Sequence, residues 1–272
     1  MSKRDPIPRE FEDLLTPAGR RILSGKAEIC GVLGDPRRRF LALDGMIAKG
    51  KAEKLRRVLE EHLRPLLSPM DDPIPPETIW DMEHDYEEWL PKTVRAKTAY
   101  LERKRAVSSL RAQELGITDL LKSESLALFA EQLVGRRLDR RSGQQVLCYG
   151  QGDYAGPHND HHPGNKRAAQ GYLDLHLSLS SKDVDHQYLV YAKGGHFTEM
   201  VPVHGLGFLT VYRLPFWHYT TPLQAKPGRD AAARRWVLLG TFLYAGRKPS
   251  FGTVPPSALA ARAYVPSLVN GG

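Results

Sequence analysis

Between Tyr172 and Ser181 the chain reads YLDLHLSLSS, an unbroken alternation of apolar and polar residues. Leu173, Leu175, Leu177 and Leu179 fall on one side of an extended backbone, and Asp174, His176, Ser178 and Ser180 on the other. A helix cannot sort these residues onto two faces, but a half-buried strand does so at every step. QQVLCYG, HQYLVYA, GFLTVYRL and RRWVLLGTFLY are also strand-like, with glycine and proline turns between them. Successive short strands with no helical pattern between them predict a barrel or jelly roll after Ser142.

The first half of the chain has a different rhythm. From Lys51 to Ser68, Leu55, Val58, Leu59, Leu63 and Leu66 share one stripe, with Lys and Glu opposite. SESLALFAEQLVGRR places Leu126, Phe129, Ala130 and Leu133 together, with Ser123 as a cap and Gly135 as a stop. DMEHDYEEWLPKTVRAKTAYLERKRAVSSL is charge-laced and reads as helix interrupted at Pro91, and SPMDDPIPPET (68–78) has the composition of a connecting loop. This gives an α+β organisation with a largely helical region over 1–142 that packs on a double-stranded β-helix over 143–247. An irregular tail over 248–272 follows.

Several function classes lose support here. No apolar run approaches the ~20 residues of a membrane helix. The opening MSKRDPIPREFEDLL lacks the apolar core of a secretory leader, and Cys30 and Cys148 form no metal or disulfide pattern. A cytoplasmic protein with no membrane partner is the expectation. The net charge of +8 is spread along the chain, and no nucleic-acid-binding motif accompanies it. That argues against a nucleic-acid partner and leaves an anionic small molecule as a use for the positive bias. Oligomeric state is left open.

Chemistry concentrates in GPHNDHHPGN, residues 156–165. His158 and Asp160 form an H-x-D pair, and two residues apart on extended chain they point the same way, toward one ion. A third ligand is needed from among His161, His162, His176, His186, His196, His204 and His218. His218 stands out because RLPFWHYTTPL follows the strand LGFLTVY and precedes ARRWVLLGTF. His176 belongs to the polar face of its strand and is expected toward the cavity. His161 and His162 read as loop or substrate-facing, and His186, His196 and His204 as turn or surface residues. Tyr212, Phe216, Trp217 and Trp236 read as core before substrate stacking, and Arg213 reads as a surface ion pair.

Taken together, YGQGDYAGPHND, VPVHGLGFLTVYRLPFWHYTTPL and RRWVLLGTF resemble the Fe(II)- and 2-oxoglutarate-dependent dioxygenases, in their prolyl-hydroxylase-like branch. The resemblance covers residues 143 to 247. It implies His158, Asp160 and His218 as metal ligands and catalytic centre, with Fe(II), 2-oxoglutarate and O2 as cofactor and cosubstrates. Two imidazoles and a carboxylate match the facial set of non-haem iron oxygenases. The resemblance further implies a basic anchor for the far carboxylate of 2-oxoglutarate on the strand after His218. Arg235 has that strand context, although it stands further from His218 than is usual, and QAKPGRDAAA is then a loop insertion; Arg234 and Arg229 are the alternatives. Tyr149 would add its hydroxyl, and Thr220 is a weaker candidate. Retention of Asp160 points to hydroxylation or desaturation rather than halogenation. The implied activity is oxygenation of an unactivated C–H bond in a small molecule or an amino-acid or peptide side chain, with release of succinate and CO2. A catalytically silent jelly-roll metal-binding or sensor protein is the competing class. A zinc hydrolase ranks lower, for want of a general base in motif context.

Overall fold

The computed structural model describes residues 7–74, 93–139, 143–160, 172–193 and 196–245. Pro91, His161, His162 and the tail over 248–272 lie outside the described residues. The first part of the chain gives α1 (Pro17–Leu23), β1 (Phe40–Leu43), α2 (Lys49–Val58), β2 (Ser68–Pro73) and β3 (Thr93–Tyr100). Three further helices follow, α3 (Val107–Glu114), α4 (Ile117–Lys122) and α5 (Glu124–Val134). From there the chain is strand: β4 (Gly143–Tyr149), β5 (Tyr154–His158), β6 (Tyr172–Ser180), β7 (Val184–His186) and β8 (Tyr188–Lys193). β9 (His196–Pro202), β10 (Leu206–Arg213), β11 (His218–Thr220), β12 (Gln224–Ala225) and β13 (Arg235–Leu243) complete it.

Eleven strands join in one antiparallel sheet, ordered β1-β10-β6-β13-β4-β3-β5-β11-β8-β9, with β2 added on β3. The sheet curls into a barrel-like jelly roll as β4 and β5 pair with successive stretches of one edge of β3, β4 along 97–100 and β5 at Val94 and Arg95, while β2 takes the other edge. β7 and β12 form a separate two-stranded ribbon.

Alternation decides what each face meets. On β6 the four leucines enter the main hydrophobic core, where they meet Leu126, Phe129 and Leu133 of α5. On β13, Trp236, Leu238 and Phe242 do the same. The Trp236 indole N–H also donates to Glu60 at 3.1 Å, so this buried ring keeps its polar atom satisfied. The intervening residues of β4, β6 and β13 face the barrel interior. The helices thus cover one face of the sheet, and the other face encloses a cavity.

The helical expectation holds for α5 down to its ends. The Ser123 hydroxyl accepts from Leu126 N at 3.2 Å, and Gly135 closes the helix with φ of 69°. The stripe from Leu55 is also buried, but α2 stops at Val58 and passes through a π-type turn at Leu59–Leu63. This keeps Leu55, Leu59 and Leu63 in line under the barrel. Gly207 on β10 comes so close to this packing that a Cβ there would lie 2.9 Å from the Ile47 Cβ.

Three segments of the first half differ from expectation. β1 adds to the sheet beside β10, the supposed connecting loop begins with β2, and part of the charge-laced segment is β3. β2 lies off the main path of the sheet and pairs with β3, where proline is tolerated. β3 places Arg95 and Lys97 outward while Val94 and Tyr100 line the cavity.

Candidate metal centre and its cavity

β5 and β11 are antiparallel neighbours in the register His218↔His158. Cross-strand pairing therefore brings the two imidazoles together without help from any loop, with ring centroids 4.4 Å apart. In each ring Nδ1 sits against a main-chain carbonyl two residues back: Gly156 at 2.6 Å for His158, and Phe216 at 2.7 Å for His218. A proton on Nδ1 donates there and leaves the Nε2 lone pair free on both rings. Both Nε2 atoms face Asp160, at 3.2 Å from His158 to Oδ1 and 3.6 Å from His218 to Oδ2. Ligand atoms of all three residues lie within 4.8 Å of one another.

Asp160 gets there by a route the H-x-D spacing did not disclose. β5 ends at His158, and Asp160 has φ of 58°, so a left-handed turn rather than continued strand swings its carboxylate back. Aspartate tolerates this conformation better than most residues. The Tyr172 hydroxyl donates to the Asp160 carbonyl and holds the turn from β6.

Electrostatics favour a cation at this point. Burial raises the Asp160 carboxyl, but the two histidines outweigh it and hold the group far below the usual carboxylate range. Burial and the neighbouring His158 push His218 down to about 4, so it is a neutral imidazole at neutral pH. Burial also opposes protonation of His158, and there the charge of Asp160 wins and raises it.

The triad lines a cavity of about 440 Å³ inside the barrel. Arg235 lies in its wall, only 2% exposed. The guanidinium donates to the Ser178 hydroxyl at 3.0 and 3.2 Å and to Gln187 Oε1 at 3.0 Å, and it lies 5.4 Å from the Tyr149 ring. Among the described residues no carboxylate pairs with it. A buried guanidinium held only by neutral groups is a costly arrangement that an anion would relieve. Arg234 instead donates to the carbonyls of Asp230 and Ala233, and Arg229 is exposed and paired with Asp183 at 2.7 Å. Of the three arginines, the structure brings only Arg235 to the cavity.

Tyr149 and Thr220 also line the cavity, and Thr220 Oγ1 accepts from Ala155 N at 2.9 Å. His176 does so too, with its ring 4.5 Å from Tyr212 and a buried Nε2 that has no partner among the described residues. Tyr212, Phe216, Trp217 and Trp236 are all buried, but Tyr212 also faces the cavity. Arg213 donates to the carbonyls of Leu33 and Gly34 and so ties β10 to the segment before β1. His186 pairs with Asp185, His196 is exposed and His204 contacts the Gln187 main chain. Cys30 and Cys148 are both free thiols. Sequence reasoning passed over Ser178, although it lies on the polar face of β6, and over Gln187, for which no pattern gave a signal.

Neither a family model nor a curated protein sequence matches the chain. Solved structures do match in fold. A prolyl 4-hydroxylase from Phytophthora capsici aligns at TM-score 0.50 and 14% identity, over 88% of this chain and 70% of that one. A Burkholderia pseudomallei oxidoreductase of the 2OG-Fe(II) oxygenase family aligns at TM-score 0.49 and 12% identity, over 83% and 90%. A Pseudomonas putida prolyl-4-hydroxylase aligns at TM-score 0.48 and 15% identity, over 79% and 99%. The jelly-roll fold implied by the sequence resemblance is the fold shared with the prolyl 4-hydroxylase of Phytophthora. Among the described residues no helix is long and apolar enough to cross a membrane.

Proposed function

We propose that this chain is an Fe(II)- and 2-oxoglutarate-dependent oxygenase that hydroxylates an unactivated C–H bond of a small molecule or an amino-acid or peptide side chain. The observation that carries the reading is the pairing, in one cavity, of a convergent His158–Asp160–His218 set with a buried arginine that lacks a counter-charge among the described residues. The donor set fits iron(II), since two neutral imidazoles and one carboxylate leave neighbouring coordination positions open. O2 would be the oxidant, drawing two electrons from 2-oxoglutarate, which leaves as succinate and CO2, and two from the substrate C–H bond, with bound iron supplying the site for that exchange.

The protein's part is to position, orient and exclude. Gly156 and Phe216 hold the imidazoles through their carbonyls, so that each Nε2 faces the metal position. Ser178 and Gln187 fix the Arg235 fork so that its charge meets the far carboxylate of 2-oxoglutarate, and Tyr149 supports it from the neighbouring strand. Leu147, Val237 and Leu239 give the cavity apolar walls that keep bulk water from the reacting centre. The 143–247 segment would thus carry the triad and the anchor, while β2 and β3 of the preceding region add Met70, Val94 and Tyr100 to the cavity wall.

Adding Fe(II) and then 2-oxoglutarate anaerobically should produce the weak visible charge-transfer band of the chelate. Arg235→Met should raise the 2-oxoglutarate concentration needed for it by ~30-fold or more, and Asp160→Ala should abolish it. Iron binding with no band at any 2-oxoglutarate concentration would overturn the oxygenase reading and favour a silent metal-binding barrel.

A further inference from the structure

The cavity contains a second acidic group that metal binding does not use. Asp174 is 5% exposed, lies on the interior face of β6 and lines the same cavity as the triad. Among the described residues its Oδ1 has no hydrogen-bond partner. Thr241, directly opposite on β13, is the one neutral side chain that favours its charged form. Around it stand Tyr172 and Leu243 toward the end of the strands and His176 and Leu239 on the inner side. Arg235 is no partner for it: that guanidinium is tied to Ser178, four residues along the same face, about 13 Å away at strand rise.

An apolar residue would fill this position at lower cost, since a buried carboxylate oxygen without a donor is unfavourable. The charges along the β6 face are ordered. A cation stands at the Ser178 end, where a dicarboxylate is to be anchored, and Asp174 stands at the other end. A carboxylate-bearing molecule is attracted to the first end and repelled from the second. A cation is drawn to the second.

We propose that Asp174 is the substrate-anchoring residue of this cavity and that it selects substrates with a protonated primary amine or guanidinium on an aliphatic body. The inference rests on the oxygenase reading for the identity of the reaction, but not for the selectivity of the cavity. The ammonium group would donate to the free Oδ1, and the aliphatic chain would lie along Leu239 and Leu243. Burial, reinforced by Asp160, pushes the unliganded Asp174 carboxyl up to about 8, so it is largely protonated at neutral pH until a cation displaces that proton.

The test uses three six-carbon probes, n-hexylammonium, n-hexanol and hexanoate, titrated calorimetrically into full-length protein with Fe(II) and 2-oxoglutarate under anaerobic conditions. Hexylammonium should bind at least ~10-fold more tightly than hexanol, with hexanoate weakest. Asp174→Asn should remove that ~10-fold preference while retaining the charge-transfer band. Equal or tighter binding of hexanol or hexanoate, no binding of the amine, or an unchanged amine preference in Asp174→Asn would each overturn the proposal. Should the asparagine variant misfold, the three-probe ranking on the unaltered protein still decides. If the band fails to form while the amine ranking holds, the oxygenase reading falls and the amine site stands.

Discussion

The two faces of β6 share one backbone and have opposite work. Leu173, Leu175, Leu177 and Leu179 are at most 3% exposed and seal the sheet against the helices. One residue out of phase, Asp174, His176 and Ser178 stand in the barrel interior with unpaired or charge-tied polar atoms. The same division runs along β13, with Trp236 and Leu238 on the helix side and Arg235 and Leu239 on the cavity side. Stability and chemistry are therefore sorted by strand phase rather than by segment. Substitutions one residue apart should separate them.

The largest effect belongs to the cavity side. Removing a group that hydrogen-bonds to a metal ligand typically costs ~10–100-fold in metal affinity, and removing a ligand costs more. His218→Ala should thus lower Fe(II) affinity by over ~100-fold in a competition assay with a chelating dye. Its unfolding free energy without metal should fall by no more than ~1–3 kcal/mol, the cost of leaving the buried Phe216 carbonyl without its donor. A variant that unfolds would break the comparison, since it would show that the cavity side also carries the fold.

The next effect belongs to the helix side. Leu177 is 3% exposed and packed in the main core. Leu177→Ala should cost ~2–5 kcal/mol in denaturant unfolding. The folded fraction should keep its iron and 2-oxoglutarate affinities. A matching loss of 2-oxoglutarate binding would show that the two faces are coupled through the strand.

What could be read in advance follows the same physics. β6 was legible because a strand with unlike faces writes its phase into the sequence. The place of Arg235 in the cavity wall was legible from its strand context, and its neighbours Arg234 and Arg229 are separated from it by which way each points. β1 was not legible, because FLAL is buried on both faces and four apolar residues carry no period. β3 was hidden by Arg95 and Lys97, whose charges dominate a segment whose other side lines the cavity. Asp160 could be named but not placed, since its reach depends on a left-handed backbone and not on strand alternation. Gln187 owes its role to a contact with Arg235 across 48 residues of sequence, which no local pattern can disclose.

A smaller effect should appear with pH. Burial, with Arg235 next, pushes His176 down to about 3. The unfolded chain takes up a proton at this residue below its ordinary value near 6.5, whereas the folded chain does so only near 3. Between those values the unfolded state binds more protons, so stability falls as pH falls. His176→Leu removes this contribution. Its stability relative to the unaltered protein, both without metal, should therefore improve on acidification, by ~1–3 kcal/mol at pH 4.5. Parallel pH profiles would mean that His176 is solvated, and the interior face would lose its claim to be a dry surface.

The smallest effect sharpens the comparison from outside it. Arg229 lies in the loop before β13, is exposed and pairs with Asp183 at 2.7 Å. The pair is short, yet exposed ion pairs contribute little once solvent screening and side-chain entropy are counted. Arg229→Ala should change the unfolding free energy by less than ~0.5 kcal/mol and leave the 2-oxoglutarate titration unmoved. Arg229 and Arg235 have the same charge and stand six residues apart. What differs is that Arg235 enters the cavity on the interior phase of a strand while Arg229 ends in water. If Arg229→Ala weakened 2-oxoglutarate binding as much as Arg235→Met, net positive charge would explain the affinity and the buried fork would not be needed. Silence at Arg229 beside a large loss at Arg235 would assign the affinity to the buried position.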